Sequence, residues 1–427
     1  MVTLLIVAAI LIVYATVSRP LNERGVTSAL VLMVAGLLVG PSVLGWFNVP
    51  LQGGTAELTA ELALALLLFS DAARIDLASL RRQLAWPGRL LLIGLPLTMA
   101  AGALAGLAVF PEFSLATVAL LAIMLSSTDA ALGQRVVTDP AVPARVRQAL
   151  NVESGLNDGL AVPFFLVFVD ISLTQLHSGP LSAVAHRAAS QIGWGLAAGL
   201  ATGIVGGALV AWADGRSLIE HPWRQTFTLA TAVAAYAAAQ ALGGSGFIAA
   251  FVGGAAFGRM AGAAGPRLLQ FTEDSGDLLA AVTWIGFGAL ALGKALSLAS
   301  WSIALYAVLS LTVVRMAPVA LAMARSHARR PTVAFLGWFG PRGLASIVFA
   351  LIALDEHVPD AQRLFTIVTC TVALSVVAHG LSSTPLVGLY RRWYEAHTAV
   401  RPGAQEAVPT ATPRARRQRA ADETRPA

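Results

Sequence analysis

The sequence predicts an all-α polytopic membrane protein with about thirteen transmembrane helices, and three observations carry that prediction. Hydrophobic residues make up 56% of the 427 residues and charged residues 12%, with a mean hydropathy of +0.72. A soluble domain averages about 25% charged residues, so a chain this apolar cannot solvate its own surface. Apolar stretches long enough to cross about 30 Å of hydrocarbon recur from end to end. Arginines gather in alternate gaps between those stretches. Inside lipid the backbone must satisfy its own hydrogen bonds within each segment, so apolar runs of this length are helices rather than barrel strands.

Taken in order, the apolar runs fall near 2–18, 27–45, 57–72, 87–110, 115–133, 148–172, 189–213, 225–242, 246–259, 277–296, 300–323, 332–354 and 363–388. The run at 246–259 is short and rich in glycine. The first run lacks a positively charged start and a small-residue cleavage site, and Arg19 and Arg24 follow it, so it reads as a retained span rather than a signal peptide. One set of loops carries Arg19 and Arg24, then Arg74, Arg81, Arg82 and Arg89, then Arg135, Arg145 and Arg147. The same set continues with Arg216 and Arg224, with Arg259 and Arg267, and with Arg325, Arg329 and Arg330. The opposite set carries Arg187, Lys294 and Arg363. The positive-inside rule makes the first set cytoplasmic, with the N-terminus outside and the C-terminus inside.

Residues 1–390 thus read as one transmembrane domain and 391–427 as a cytoplasmic tail. From Pro402 the tail is rich in Pro, Ala and Arg, has no apolar period, and is expected to be disordered. The net charge of +6 and pI near 10.2 come largely from inside loops and tail, which points to anionic lipid and not to nucleic acid. Cys370 is the sole cysteine, so no intramolecular disulfide can form. Lys294 is the sole lysine among 29 basic residues, a skew that suggests a GC-rich bacterial genome and hence a bacterial inner membrane.

Ionisable side chains inside spans are costly and are functional candidates by default. Glu153-Ser154-Gly155-Leu156-Asn157-Asp158-Gly159 places two carboxylates and an amide in the sixth run. At 100° per residue Ser154 and Asp158 stack one turn apart, as do Glu153 and Asn157. That face offers several oxygens, which is what a hard alkali cation requires. Ser126-Ser127-Thr128-Asp129 lies in the fifth run, where three hydroxyls compete for backbone hydrogen bonds and loosen a helix. It could equally be a capped helix end. Phe339-Gly340-Pro341-Arg342-Gly343 breaks the twelfth run. Arg315, in the eleventh, needs a buried acid, and Glu153 is the obvious one. The fifth and twelfth runs are seven apart, so two corresponding helices would be oppositely oriented, as inverted repeats require. The two broken helices are then expected to cross, with Asp129 facing positive half-helix ends and Arg342 negative ones.

With these residues in hand, the chain resembles the cation–proton antiporter superfamily, in its Asn-Asp branch of sodium/proton exchangers. The resemblance rests on Glu153-Ser154-x-x-Asn157-Asp158 after Thr128-Asp129, and covers all but the tail. Leu68-Phe69-Ser70-Asp71, Ser245-Gly246-Phe247-Ile248-Ala249-Ala250-Phe251, Arg315 and Gly340-Pro341-Arg342-Gly343 support it. It implies a thirteen-span, inverted-repeat fold with two broken crossing helices, working as a homodimer with a moving six-helix core. It implies that Asp158 binds Na⁺ and a proton alternately, with Thr128, Ser154 and Glu153 completing the cation shell and Glu153 also tied to Arg315. It implies that Asn157 stands where the electrogenic branch has a second carboxylate, so that exchange is electroneutral. Many relatives carry proline beside Thr-Asp; here Ser127 and Ala130 flank it, which leaves open where the fifth helix unwinds. Thr138-Asp139-Pro140 mimics the motif but lies in a basic loop.

The expected activity is exchange of H⁺ for Na⁺ or Li⁺, without a resident cofactor. K⁺/H⁺ exchange through the same residues is the main rival. An organic-anion symporter would need basic or amide-rich binding sites, and a non-transporting subunit would not need the full constellation. An enzyme is not expected: six of the seven histidines lie in loops, near span ends or in the tail. His379, in the last run, has no evident ligand partner. It reads as a satisfied core histidine, with pH sensing as the alternative.

Overall fold

The computed structural model describes residues 2–47, 54–74, 85–129, 131–176, 181–262, 268–400 and 406. The expectations for Arg81, Arg82, Arg267 and, Glu406 apart, for the tail beyond Val400 lie outside the described residues.

The regular structure of the described residues is all helical, without strands. In chain order the helices are α1 Val2–Glu23, α2 Ser28–Val39, α3 Thr55–Arg74, α4 Ala85–Val109, α5 Leu115–Met124, α6 Gln134–Thr138, α7 Ala144–Leu176 and α8 Leu181–Asp214. They continue with α9 His221–Ala241, α10 Gly246–Ala261, α11 Gln270–Ser297, α12 Trp301–Leu311, α13 Val313–Ala322, α14 Arg330–Trp338, α15 Leu344–Asp355 and α16 Ala361–Val400. Each expected apolar run is occupied by a helix or by two helices in series. Seven segments are long and apolar enough to cross a membrane: α1, α4, α7, α8, α11, α12 with α13, and α16. Helices α2, α5, α10 and α15 are apolar but shorter.

Two compact units emerge among these helices. The first comprises the described residues within 1–60, 85–179 and 280–409, and the second those within 61–74 and 181–279. Close backbone approach organises each. In the second unit α8 and α10 meet along small residues: a Cβ on Gly199 would sit 2.6 Å from the Ala249 carbonyl oxygen, the small-xxx-small packing that suits helices in lipid. Also in the second unit, Tyr236 of α9 donates its hydroxyl to Glu61 Oε2 of α3 at 2.5 Å. In the first unit Gly36 of α2 admits the Ile285 carbonyl of α11, just before a π-helical turn over Phe287–Leu292.

Two departures from the sequence reading are local. The last helix runs on past residue 390 to Val400, so the end of the apolar run is not the end of the helix. The eleventh run is two helices, with Thr312 between them at φ −109° and ψ −92°.

A candidate cation site at two helix breaks

Local chemistry makes both breaks. Helix α5 starts at Ser114, whose hydroxyl accepts the Thr117 N–H at 3.1 Å. It ends at Met124, where Ser126 turns both its N–H (3.0 Å) and its hydroxyl (2.8 Å) onto the Ile123 carbonyl. The hydroxyl run thereby competes with the helix ladder, and residues 127–129 have no regular structure. The unwound point lies at 125–129 even without a neighbouring proline. Helix α14 ends at Trp338 because Pro341 lacks an N–H and disfavours helical geometry at Gly340. Helix α15 restarts at Leu344.

The breaks bond to each other. Asp129 donates its backbone N–H to the Pro341 carbonyl at 2.8 Å. The Asp129 carboxylate accepts the Leu344 N–H at 3.2 Å, capping α15 from the break that follows α5, and the Ala131 N–H at 2.8 Å. Arg342 is fully buried. Its guanidinium donates to the carbonyls of Ser126 (2.9 Å) and Ser127 (3.3 Å), beyond the C-terminal end of α5, and to that of Ser310 (3.5 Å), near the end of α12. A carboxylate thus meets a positive helix end and a guanidinium meets negative ones. The two glycines of the motif make room for this: a Cβ on Gly343 would collide with the Asp129 carboxylate, and one on Gly340 with the Arg315 guanidinium.

Glu153 of α7 and Arg315 of α13 form a bidentate pair, Nη1 to Oε1 at 2.6 Å and Nη2 to Oε2 at 2.9 Å. Their side chains are 4% and 3% exposed. Both oxygens of Glu153 therefore face Arg315, and Glu153 is not part of the hydrogen-bonded cluster that joins Thr128, Ser154 and Asn157.

In that cluster Asn157 Nδ2 donates to Thr128 Oγ1 at 2.6 Å. Thr128 Oγ1 lies 3.1 Å from Ser154 Oγ, which donates to the Thr128 carbonyl at 2.8 Å. Since Thr128 Oγ1 accepts from the amide, its own hydrogen goes to Ser154, and Ser154's goes to the carbonyl. Each hydroxyl hydrogen is committed within the cluster. Lone pairs are left on both hydroxyls and on the Thr128 carbonyl, and the buried Asn157 Oδ1 receives no hydrogen bond. This is a display of oxygens, suited to a hard cation and not to an anion. Asp158, half-buried, follows Asn157 on α7, one turn beyond Ser154.

All eight candidate residues belong to the first unit. Leu68-Phe69-Ser70-Asp71 and the segment Ser245–Phe251 belong to the second; there a Cβ on Gly254 of α10 would collide with the Phe69 carbonyl. Asp139 of the misleading Thr138-Asp139-Pro140 accepts the Ala141 N–H at 2.8 Å and serves as a loop residue. Sequence reasoning passed over Ser375, whose hydroxyl accepts the Arg342 backbone N–H at 2.7 Å. Its signal was a polar stripe, Ser375, His379 and Ser382, at i, i+4 and i+7 of an apolar helix.

The chain is similar to known proteins in sequence and in fold. Residues 6–388 match the family described as sodium/hydrogen exchanger, transmembrane. A K⁺/H⁺ antiporter of Alkalimonas amylolytica is 26% identical over 414 residues, covering 95% of this chain and 69% of the relative. Na⁺/H⁺ antiporter 2 of Zygosaccharomyces rouxii is 28% identical over 257 residues, covering 57% of this chain and 31% of the relative. The chain therefore spans from about a third to about two thirds of the length of these curated relatives. The solved structure of the sodium proton antiporter MjNhaP1 from Methanocaldococcus jannaschii at pH 8 superposes with a TM-score of 0.71 at 19% identity, over 88% of this chain and 97% of that one. An all-helical, multi-pass membrane protein with this fold and this match over nearly its whole length belongs to the sodium/hydrogen exchanger family.

Proposed function

We propose that this chain exchanges H⁺ for Na⁺ or Li⁺ across the bilayer, one for one, through alternating occupancy of Asp158. The observation that carries the reading is the oxygen display of Thr128, Ser154 and Asn157 beside a single carboxylate whose charged neighbours are compensated elsewhere. Glu153 is held by Arg315, and Asp129 and Arg342 by backbone at the helix breaks. Asp158, one turn beyond Ser154 on α7, is the carboxylate that trades a proton for a cation. Its neutral forms, Asp–H and Asp⁻·Na⁺, can be carried through the low-dielectric interior, whereas bare Asp⁻ is held back by the cost of burying charge. Coupling needs no further switch. Asn157 cannot change charge, which makes the cycle electroneutral.

A second reading, K⁺/H⁺ exchange with the same residues, is favoured by a specific observation: the relatives matched over most of this chain are K⁺/H⁺ antiporters. The proposal extends to thirteen crossings with the N-terminus outside, a bacterial inner membrane, a homodimer, and a site that takes Na⁺ at Asp158, Ser154 and Thr128. Purified protein in proteoliposomes, given Na⁺, Li⁺ or K⁺ against an imposed pH gradient, tests the exchange. Proton flux driven by Na⁺ or Li⁺ is expected; flux with K⁺ alone selects the second reading, and flux with none of the three rejects both.

A further inference from the structure

One buried side chain outside the site reaches across the second break. His379 of α16 is 1% exposed. Its Nε2 lies 2.8 Å from the carbonyl oxygen of Trp338, the last residue of α14. Its Nδ1 lies 3.2 Å from Ser375 Oγ and 2.9 Å from the Ser375 carbonyl oxygen. Ser375 Oγ in turn accepts the backbone N–H of Arg342 at 2.7 Å. The Trp338 ring stacks on the imidazole with centroids 5.2 Å apart, and its Nε1–H donates to Ser382 Oγ at 2.9 Å.

Nε2 faces the Trp338 carbonyl, and Nδ1 faces both the hydroxyl and the carbonyl of Ser375. The result is a continuous relay of contacts from the Arg342 N–H through the Ser375 hydroxyl and the imidazole to the Trp338 carbonyl. In an uninterrupted α-helix the N–H of residue 342 would donate directly to the carbonyl of residue 338. The relay is therefore inserted into the backbone hydrogen bond that the break removes. It gives the Arg342 N–H a buried partner, whose loss would cost free energy as an unmade hydrogen bond, and it joins the Gly340 N–H (2.8 Å) on the Trp338 carbonyl.

We propose that His379, acting with Ser375, is a positioning residue of the exchange site: the pair holds the second break open at the width that lets Arg342 reach the carbonyls of Ser126 and Ser127. Thr128, the next residue along, supplies the carbonyl and hydroxyl of the oxygen display, so slack at 338–342 is transmitted to the cation position through Arg342. A merely space-filling histidine would need neither nitrogen aligned on the break.

The transport arm of the test rests on the exchange reading; the second arm does not. Wild type, His379→Gln, His379→Asn and His379→Leu are compared in proteoliposomes for half-saturating cation concentration, and in detergent for hydrogen–deuterium exchange at residues 339–344. A glutamine amide can place an N–H near the position of Nε2, and an asparagine amide near that of Nδ1. Losing one buried hydrogen bond should raise half-saturation roughly fivefold to tenfold in Asn and Leu, with Gln staying within about twofold of wild type. Amides 339–344 should exchange faster in Asn and Leu than in Gln. Equal half-saturation in all four proteins, or a Gln variant as impaired as Leu, overturns the proposal. If the Leu variant fails to assemble, Gln against Asn decides. If wild type moves none of Na⁺, Li⁺ and K⁺, the exchange reading has failed, and equal protection of 339–344 in Gln and Asn still overturns this one.

Discussion

Glu153 and Arg315 show how far a single pair of residues can be argued from sequence. Each is an ionisable group in an apolar run, each needs a partner, and the structure joins them through two hydrogen bonds of 2.6 and 2.9 Å. Removing one partner leaves the other buried and charged, so Arg315→Ala should destabilise by about 3–5 kcal/mol. Glu153→Gln combined with Arg315→Gln should recover part of that loss, because neither charge then remains uncompensated. Thermal unfolding of the purified single and double variants gives the coupling energy; a double variant as unstable as the sum of its singles would mean the pair is not coupled. Not everything at this scale was legible. Gly340 and Gly343 read as helix breakers, but their second role, leaving room for the Arg315 guanidinium and the Asp129 carboxylate, depends on which chains meet at the break. No spacing rule carries that information.

At the scale of elements, the Gly-Pro-x-Gly motif located one interruption, and the hydroxyl run at 126–128 pointed to the other while leaving its position open, because each acts on the backbone within a few residues. What escaped was how elements complete one another. Helix α14 has no side-chain cap of its own at Arg329. Its first turn is satisfied by Glu406, which accepts the Arg329 N–H and the Thr332 hydroxyl, both at 2.9 Å, while Thr332 lies 3.0 Å from the Tyr390 hydroxyl. The sequence gives no hint that a residue in a polar tail caps a helix some seventy positions earlier. Glu406→Ala removes that cap and should cost about 1 kcal/mol. A lowered Tm with unchanged half-saturating cation concentration is the expected result; an unchanged Tm would show that the contact contributes nothing to stability. The same logic applies to α16. Its apolar period ends near 388, yet the helix continues to Val400, because apolarity marks the membrane and not the end of the hydrogen-bond ladder.

For the molecule as a whole, hydropathy placed the helices well because the bilayer imposes one length and one chemistry on every span. The division into two units was not legible, since it depends on which helices pack and not on how long each is. The charge balance of the cycle follows from the whole constellation. With Glu153 held by Arg315 and Asn157 unable to ionise, turnover should carry no net charge. Solid-supported-membrane recordings should show no sustained potential-dependent current. Such a current, abolished by Glu153→Gln, would mean that Glu153 also titrates and that more than one proton moves per cation.

The central claim is that one carboxylate, Asp158, carries both ions in turn. It is tested most directly by cation-driven proton flux in proteoliposomes containing either wild type or Asp158→Asn, with folding checked by matched elution and Tm. An asparagine keeps the shape and much of the hydrogen bonding but can neither release a proton nor neutralise a cation. The account predicts robust flux in wild type and none above the protein-free background in Asp158→Asn. Appreciable flux through a well-folded Asp158→Asn protein would contradict it.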